Sequence, residues 1–208
     1  MKILLATMSV GVMLCFTAQT VACGGSRVLF EDQFSSADLA WGNYSDLRIE
    51  NGSLTLLVNP GAGYPLHREG TVFSGDYEIC TSVVQKNMDP SVAWASLLFW
   101  GADYENYYVF QVATNGYVNV ARRKGGVWQQ NPVGWKKTSG LVNPGMQPNE
   151  LRLVIKGSQV TGYVNQTKVL SFKGRAPKGA SFAGVYGNAP DGLTASYDFD
   201  YFKVTEVD

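Results

Sequence analysis

ASLLFWGADYENYYVFQVATNGYVNVARR, residues 95–123, holds runs rich in Val, Leu, Phe and Tyr separated by two clusters of turn residues. β-Branched and aromatic residues suit a pleated, half-buried surface, so the runs predict strands over 93–100, 107–113 and 117–123. Asn115-Gly116 supplies residues that tolerate positive φ, as a tight hairpin requires, and makes the last two strands antiparallel neighbours.

The same grammar extends in both directions. It predicts strands over 28–34, 47–50, 53–58, 77–84, 151–156, 159–165, 168–172, 181–187 and 196–204, with further turns at Asn51-Gly52 and Lys156-Gly157-Ser158. After residue 23 no stretch keeps apolar residues at helical spacing for three turns. The fold class is therefore all-β, and this many short strands suit two packed antiparallel sheets. Residues 59–70 and 129–148 are loops by composition, and carry Tyr64 and Trp135. With no internal repeat and no linker, one domain over 27–208 is the economical division.

Composition excludes several classes. Lys plus Arg and Asp plus Glu number 17 each in 208 residues, which leaves no electrostatic footprint for nucleic acid. An apolar fraction of 45% is too high for a disordered chain. Residues 1–22 carry one early cation, Lys2, then an apolar run over 3–16, then Thr20-Val21-Ala22, the pattern of a secretory signal. The mature protein is thus expected to be extracytoplasmic, periplasmic or secreted, with no transmembrane segment. Cys15 leaves with the signal. Cys23 and Cys80 remain and could pair in an oxidising compartment, or Cys80 could be a small buried thiol. Cys23 at the cleavage point also fits a lipid anchor, although Thr20 stands where such signals usually carry an aliphatic residue.

The pieces LFEDQF with Trp41, LRIENGSLTL, ASLLFWGADYENYYVFQV with NGYVNVARR and GGVW, NELRLVIKGSQVTGYVN, and YDFDYFKV together resemble the concanavalin A-like lectin/glucanase superfamily. Within it the chain looks most like the laminin-G-like and 3-keto-disaccharide-hydrolase-like secreted bacterial domains. The resemblance implies a jelly-roll sandwich of two antiparallel sheets, one of them concave, and a superfamily that handles glycans. Its motifs mark fold rather than chemistry.

Retaining glucanases of that superfamily carry a Glu-x-Asp-x-x-Glu strand, and this chain has none. Asp198 and Asp200 are the nearest substitute, set on a strand expected to close the sheet, where a structural role is favoured. His67 is the only histidine, so a histidine cluster for a metal cannot be built. In YPLHREG it falls in an expected loop, beside Glu69, and can act as a single general base or stand solvated. Asp103, Glu105 and Asn106 offer oxygen ligands for calcium, though their spacing is that of a hairpin turn rather than a dedicated calcium loop.

Aromatic residues are the stronger signal, because flat rings with polar edges stack on sugars. If Leu97, Phe99, Tyr108, Phe110, Val112, Val118 and Val120 face the core, alternation puts Trp94, Trp100, Tyr107, Gln111, Asn119 and Arg123 on the opposite face as candidate binding residues. The same rings could simply stabilise the sheet. Three functions stay open. The first is a glycan- or polysaccharide-binding, lectin-like domain using this face. The second is a sugar-processing hydrolase or lyase with His67, Glu69, Asp103 or Glu105 as acid or base. The third is an envelope interaction protein without sugar specificity.

Overall fold

The computed structural model describes residues 23–86, 94–144 and 146–207; the expected signal over 1–22 lies outside them. The described residues form fifteen strands: β1 Val28–Asp32, β2 Leu47–Glu50, β3 Ser53–Val58, β4 Gly63–His67, β5 Tyr77–Lys86, β6 Trp94–Asp103, β7 Asn106–Ala113, β8 Tyr117–Lys124, β9 Val127–Trp128, β10 Val133–Lys137, β11 Asn149–Lys156, β12 Gln159–Val164, β13 Thr167–Lys173, β14 Phe182–Asn188 and β15 Ala195–Glu206. Sheet I runs β13-β12-β11-β5-β15-β3-β2, with β1 also on β15, and sheet II runs β10-β8-β7-β6-β14-β4, with β9 also on β8. Every pairing is antiparallel. The architecture is the expected two-sheet jelly-roll sandwich, with one sheet curled into a half-barrel. No described helix is long and apolar enough to cross a membrane.

Two expected loops contain strands. β4 lies inside 59–70, where Pro65 hides it from a sequence reading, but β4 is an edge strand and an edge tolerates a residue that cannot donate to the ladder. β9 and β10 fall in or beside 129–148; β9 is only two residues long, and β10 slips register between Val133 and Lys136. The expected first strand, 28–34, stops at Asp32, whose carboxylate accepts the Phe34 amide at 2.8 Å while Phe34 turns to a φ of +51°.

The core fills the space between the sheets. Leu97, Phe99, Phe110 and Val120 from sheet II meet Leu54, Ile79, Leu153 and Phe199 from sheet I, each fully buried. Burial of one such side chain stabilises the fold by about 1.5 to 3 kcal/mol. Trp41, on a short 3-10 turn, closes one end against Phe34 and Phe202, and its indole N–H donates to Asp32 at 2.8 Å.

Sheet I ties several of its buried polar groups into partnered sets, although the Gln85 side-chain amide on β5 has no partner. Glu78 is 2% exposed, yet it accepts from the Gly25 amide at 2.5 Å, Arg152 Nε at 2.7 Å and the Thr205 hydroxyl at 3.0 Å. One residue pair along, Cys23 and Cys80 form a disulfide, with Cα atoms 5.8 Å apart. A bonded Cys23 sulfur has no thiol to acylate, so the pairing stands against the lipid anchor.

Candidate functional site

The outer face of sheet II, directed away from the core, gathers most of the sequence-derived candidates. Strand register aligns Asn119, Gln111, Ser96, Tyr186 and Pro65 in one row across β8, β7, β6, β14 and β4. At about 4.8 Å per strand the row spans roughly 19 Å. The next row is Ala121, Val109, Leu98, Gly184 and His67, and Trp94 pairs with Asn188 on the other side of the first.

This face is buried although it does not touch the core. Leu98, Tyr107, Val109, Ala121, Phe182 and Tyr186 form a second apolar cluster. Trp128 on β9 packs edge-on against Tyr107 at 5.8 Å and against Tyr186 at 6.2 Å. β8, β7 and β6 stand between β9 and β14, so two rings rooted there can meet only if the sheet curls and the long side chains converge above Leu98 and Val109. On the other side of the polar row, Trp94 packs against Trp135 at 5.3 Å. Trp128 and Trp135 remain exposed, and leave ring surface at the rim.

Beneath these rings lie polar atoms that the protein does not satisfy. Trp94 Nε1, Ser96 Oγ, Asn119 Oδ1, Arg123 Nε and Asn188 Oδ1 are buried without a hydrogen-bond partner, and all five belong to this face. A buried polar atom left without a partner costs about 1 to 3 kcal/mol. Burial also pushes the phenols of Tyr107 and Tyr186 above their ordinary range, so both stay protonated and able to donate. The exposed rims of Trp128 and Trp135 present rings for stacking, and the five polar atoms lie just beneath that surface.

Trp94, Tyr107, Gln111, Asn119 and Arg123 lie on the face that alternation gave them. Trp100 does not. β6 bulges between Phe99 and Asp103, Trp100 takes a φ of +52°, and its ring turns into the core against Phe99 and Tyr108, which leaves it 4% exposed. A bulge inserts residues into one strand and breaks the two-residue period on which the expectation rested. The sequence reading missed Ser96, Tyr186 and Asn188, and counted Trp128 among the rings able to stack on sugars without placing it on this face. Ser96 was legible, being two residues from Trp94 on one strand, and Tyr186 would have followed from sorting β14 by face. Trp128 had no such signal, because its position depends on curl.

His67 is not a solvated loop residue. It sits on β4, stacks on Phe182 at 3.9 Å and lies 5.3 Å from Tyr104. Burial lowers its pKa, so the ring is neutral near pH 7 and can accept a proton. The other acid–base candidates lie off the polar row. Glu69 is exposed beside His67, and Asp103 is tied into its turn by the Glu105 amide and the Asn106 side chain at 2.8 and 2.9 Å. Asp198 pairs with Lys86 and accepts from Thr55, while Asp200 sits at a bulge of β15 and accepts from Ser82; both belong to sheet I and have structural partners. Among the described residues no three His, Cys, Asp or Glu side chains converge as a metal cluster. A cleft of about 340 Å³ between the β2 and β4 edges is lined by Tyr44, Asp46, Tyr64, Pro65 and Tyr104, and so adjoins the β4 end of the polar row.

No protein-family model matches the chain, and no curated relative is similar to it. Solved structures are similar in fold. A protein from work on endo-acting O-glycanases that human gut bacteria use to initiate mucin breakdown superposes with a TM-score of 0.64 at 9% identity, over 87% of this chain and 100% of that one. A Bacillus licheniformis β-glucanase gives 0.60 at 10% identity, over 88% and 99%. The carbohydrate-binding module CBM66 of Bacillus subtilis gives 0.53 at 13% identity, over 85% and 95%. At such identities the likeness establishes the sandwich fold.

Proposed function

We propose that this protein engages a carbohydrate on the outer face of sheet II. The observation that carries the reading is the collection of five buried, unpartnered polar atoms on one face, roofed and rimmed by Trp94, Trp128 and Trp135. A glycan offers what that face lacks, alternating hydroxyl donors and acceptors and a flat apolar ring surface. Binding of the purified protein to a broad glycan array tests it. Trp94→Ala and Gln111→Leu are expected to weaken binding tenfold or more with little change in thermal stability. Wild-type protein that binds no glycan overturns the reading.

Hydrolysis or related turnover of the bound sugar, of the 3-keto-disaccharide-hydrolase type, is the second reading. The similar structures lean towards it, since two of the three described above are tied to glycan-cleaving enzymes. On this face the base would be neutral His67, because among the described residues no carboxylate pair stands along the polar row. A keto-sugar carries an acidified C–H proton that one base can remove. Turnover that survives His67→Ala rules this assignment out. Extracytoplasmic location rests on the sequence of residues 1–22 and, more weakly, on the Cys23–Cys80 disulfide, which suits an oxidising compartment.

A further inference from the structure

Where the polar face ends, at the β6 bulge, the fold assembles a charge cluster that the sequence scatters. A pocket of about 150 Å³ is lined by Trp100, Tyr107, Tyr108, Arg122, Arg123 and Arg175. Two of the arginines come from the end of β8. The third lies in the connection between β13 and β14, where its amide approaches the Tyr108 hydroxyl at 3.3 Å.

Aromatic rings hold two of these side chains. The Arg122 guanidinium lies 5.1 Å from the Tyr108 ring centre, and that of Arg123 lies 5.7 Å from Trp128. Among the described residues none of the three arginines has a carboxylate at ion-pair distance, whereas Arg27, Arg68 and Arg152 each hold one at 2.7 Å. The Glu105 carboxylate and Arg123 Nη2 both approach Gly126, but they form no ion pair. Arg123 Nε is also buried without a partner. The three arginines line one small pocket, Arg122 and Arg123 reaching its rim from opposite faces of β8, and neutral hydroxyls cannot balance their charge. A planar anion accepting paired N–H bonds can.

We infer that the glycan bound by this protein is acidic, and that Arg122, Arg123 and Arg175 take its carboxylate or sulfate ester at the end of the sheet II face. The inference rests on the carbohydrate reading above and names the chemical class of the ligand. Tyr107 and Arg123 belong to both the pocket and the face, so a substituent held here would extend from a sugar stacked along the polar row.

An array carrying neutral, uronate-bearing and sulfated glycans, probed with wild-type protein, Arg122→Gln and Arg175→Gln, decides the matter. Preference for uronates identifies the carboxylate, and preference for sulfated members identifies the ester. In either case both variants should reduce binding to the charged glycans tenfold or more, leave their melting temperature unchanged, and lose most of the salt sensitivity seen with wild type. Arg175 is exposed in a loop, so its replacement should not disturb folding. Equal binding of neutral and acidic glycans, or binding that both variants keep in full, overturns the inference and leaves the carbohydrate reading standing. No binding anywhere on the array overturns both.

Discussion

Strand β11 of sheet I alternates buried and half-buried residues over most of its length, whereas β7 of sheet II is buried on both faces from Tyr107 to Ala113. Polar groups are buried on the outer faces of both sheets, but under different conditions. On sheet I, Glu78 has three partners and Asp198 two. On sheet II, Ser96, Asn119 and Asn188 each keep a buried oxygen without a hydrogen-bond partner. Burial with partners maintains a fold. Burial without them lowers stability; Gln85 of sheet I shares that condition, so what marks the sheet II face is that its unpartnered atoms are gathered on one surface.

The largest effect should come from the scaffold side. Replacing Cys23 and Cys80 together by Ser opens a link across 57 residues, and the loop entropy restored to the unfolded chain predicts a loss of about 4 kcal/mol. Denaturant unfolding with and without reductant measures it, and an unmoved midpoint would show that sheet I does not depend on the link. Next comes a direct contrast between the sheets. Arg152→Leu strands Glu78 with its charge buried and should cost about 2 to 3 kcal/mol. Asn119→Leu removes an unsatisfied amide and should stay within about 1 kcal/mol of wild type while abolishing glycan binding. Equal destabilisation by the two substitutions would break the distinction between partnered and unpartnered faces.

The smallest effects concern pH and have opposite signs. Burial depresses the His67 pKa, so His67 contributes stability above its ordinary range near pH 6.5, and that stability is lost as pH falls through the lowered value. His67→Phe should flatten this acid limb. Burial raises the Glu150 pKa on sheet I, so its contribution is present below the ordinary carboxylate range and is lost as pH rises through the raised value. Glu150→Gln should therefore stabilise the protein near pH 7, with the gap closing on acidification. Both groups are partly solvated, so each effect should be under about 1 kcal/mol, read as the pH dependence of the unfolding midpoint.

Much of the scaffold was legible because strand signals are local. Runs of Val, Ile, Phe and Tyr bounded by Asn-Gly and Gly-Ser turns placed every long strand to within a few residues. β4 escaped because Pro65 and its glycines read as loop, and only its position at a sheet edge makes them compatible with pairing. On the candidate face, period-two alternation placed Trp94, Tyr107, Gln111, Asn119 and Arg123 together. It failed at Trp100, where the bulge reset the period, and it had nothing to say of Trp128, which shares no strand with the rings it touches.

The sequence by itself determined the class of fold, the antiparallel hairpins and which residues of a regular strand share a face, because each follows from backbone preferences acting over a few residues. Only the tertiary structure decided that β7 and β14 of sheet II are buried on both faces, that five polar atoms of that sheet lack partners, that His67 stacks on Phe182, and that Arg175 joins Arg122 and Arg123 around one pocket. Those facts depend on curl, bulges and the meeting of segments more than fifty residues apart, and no local preference encodes such distances.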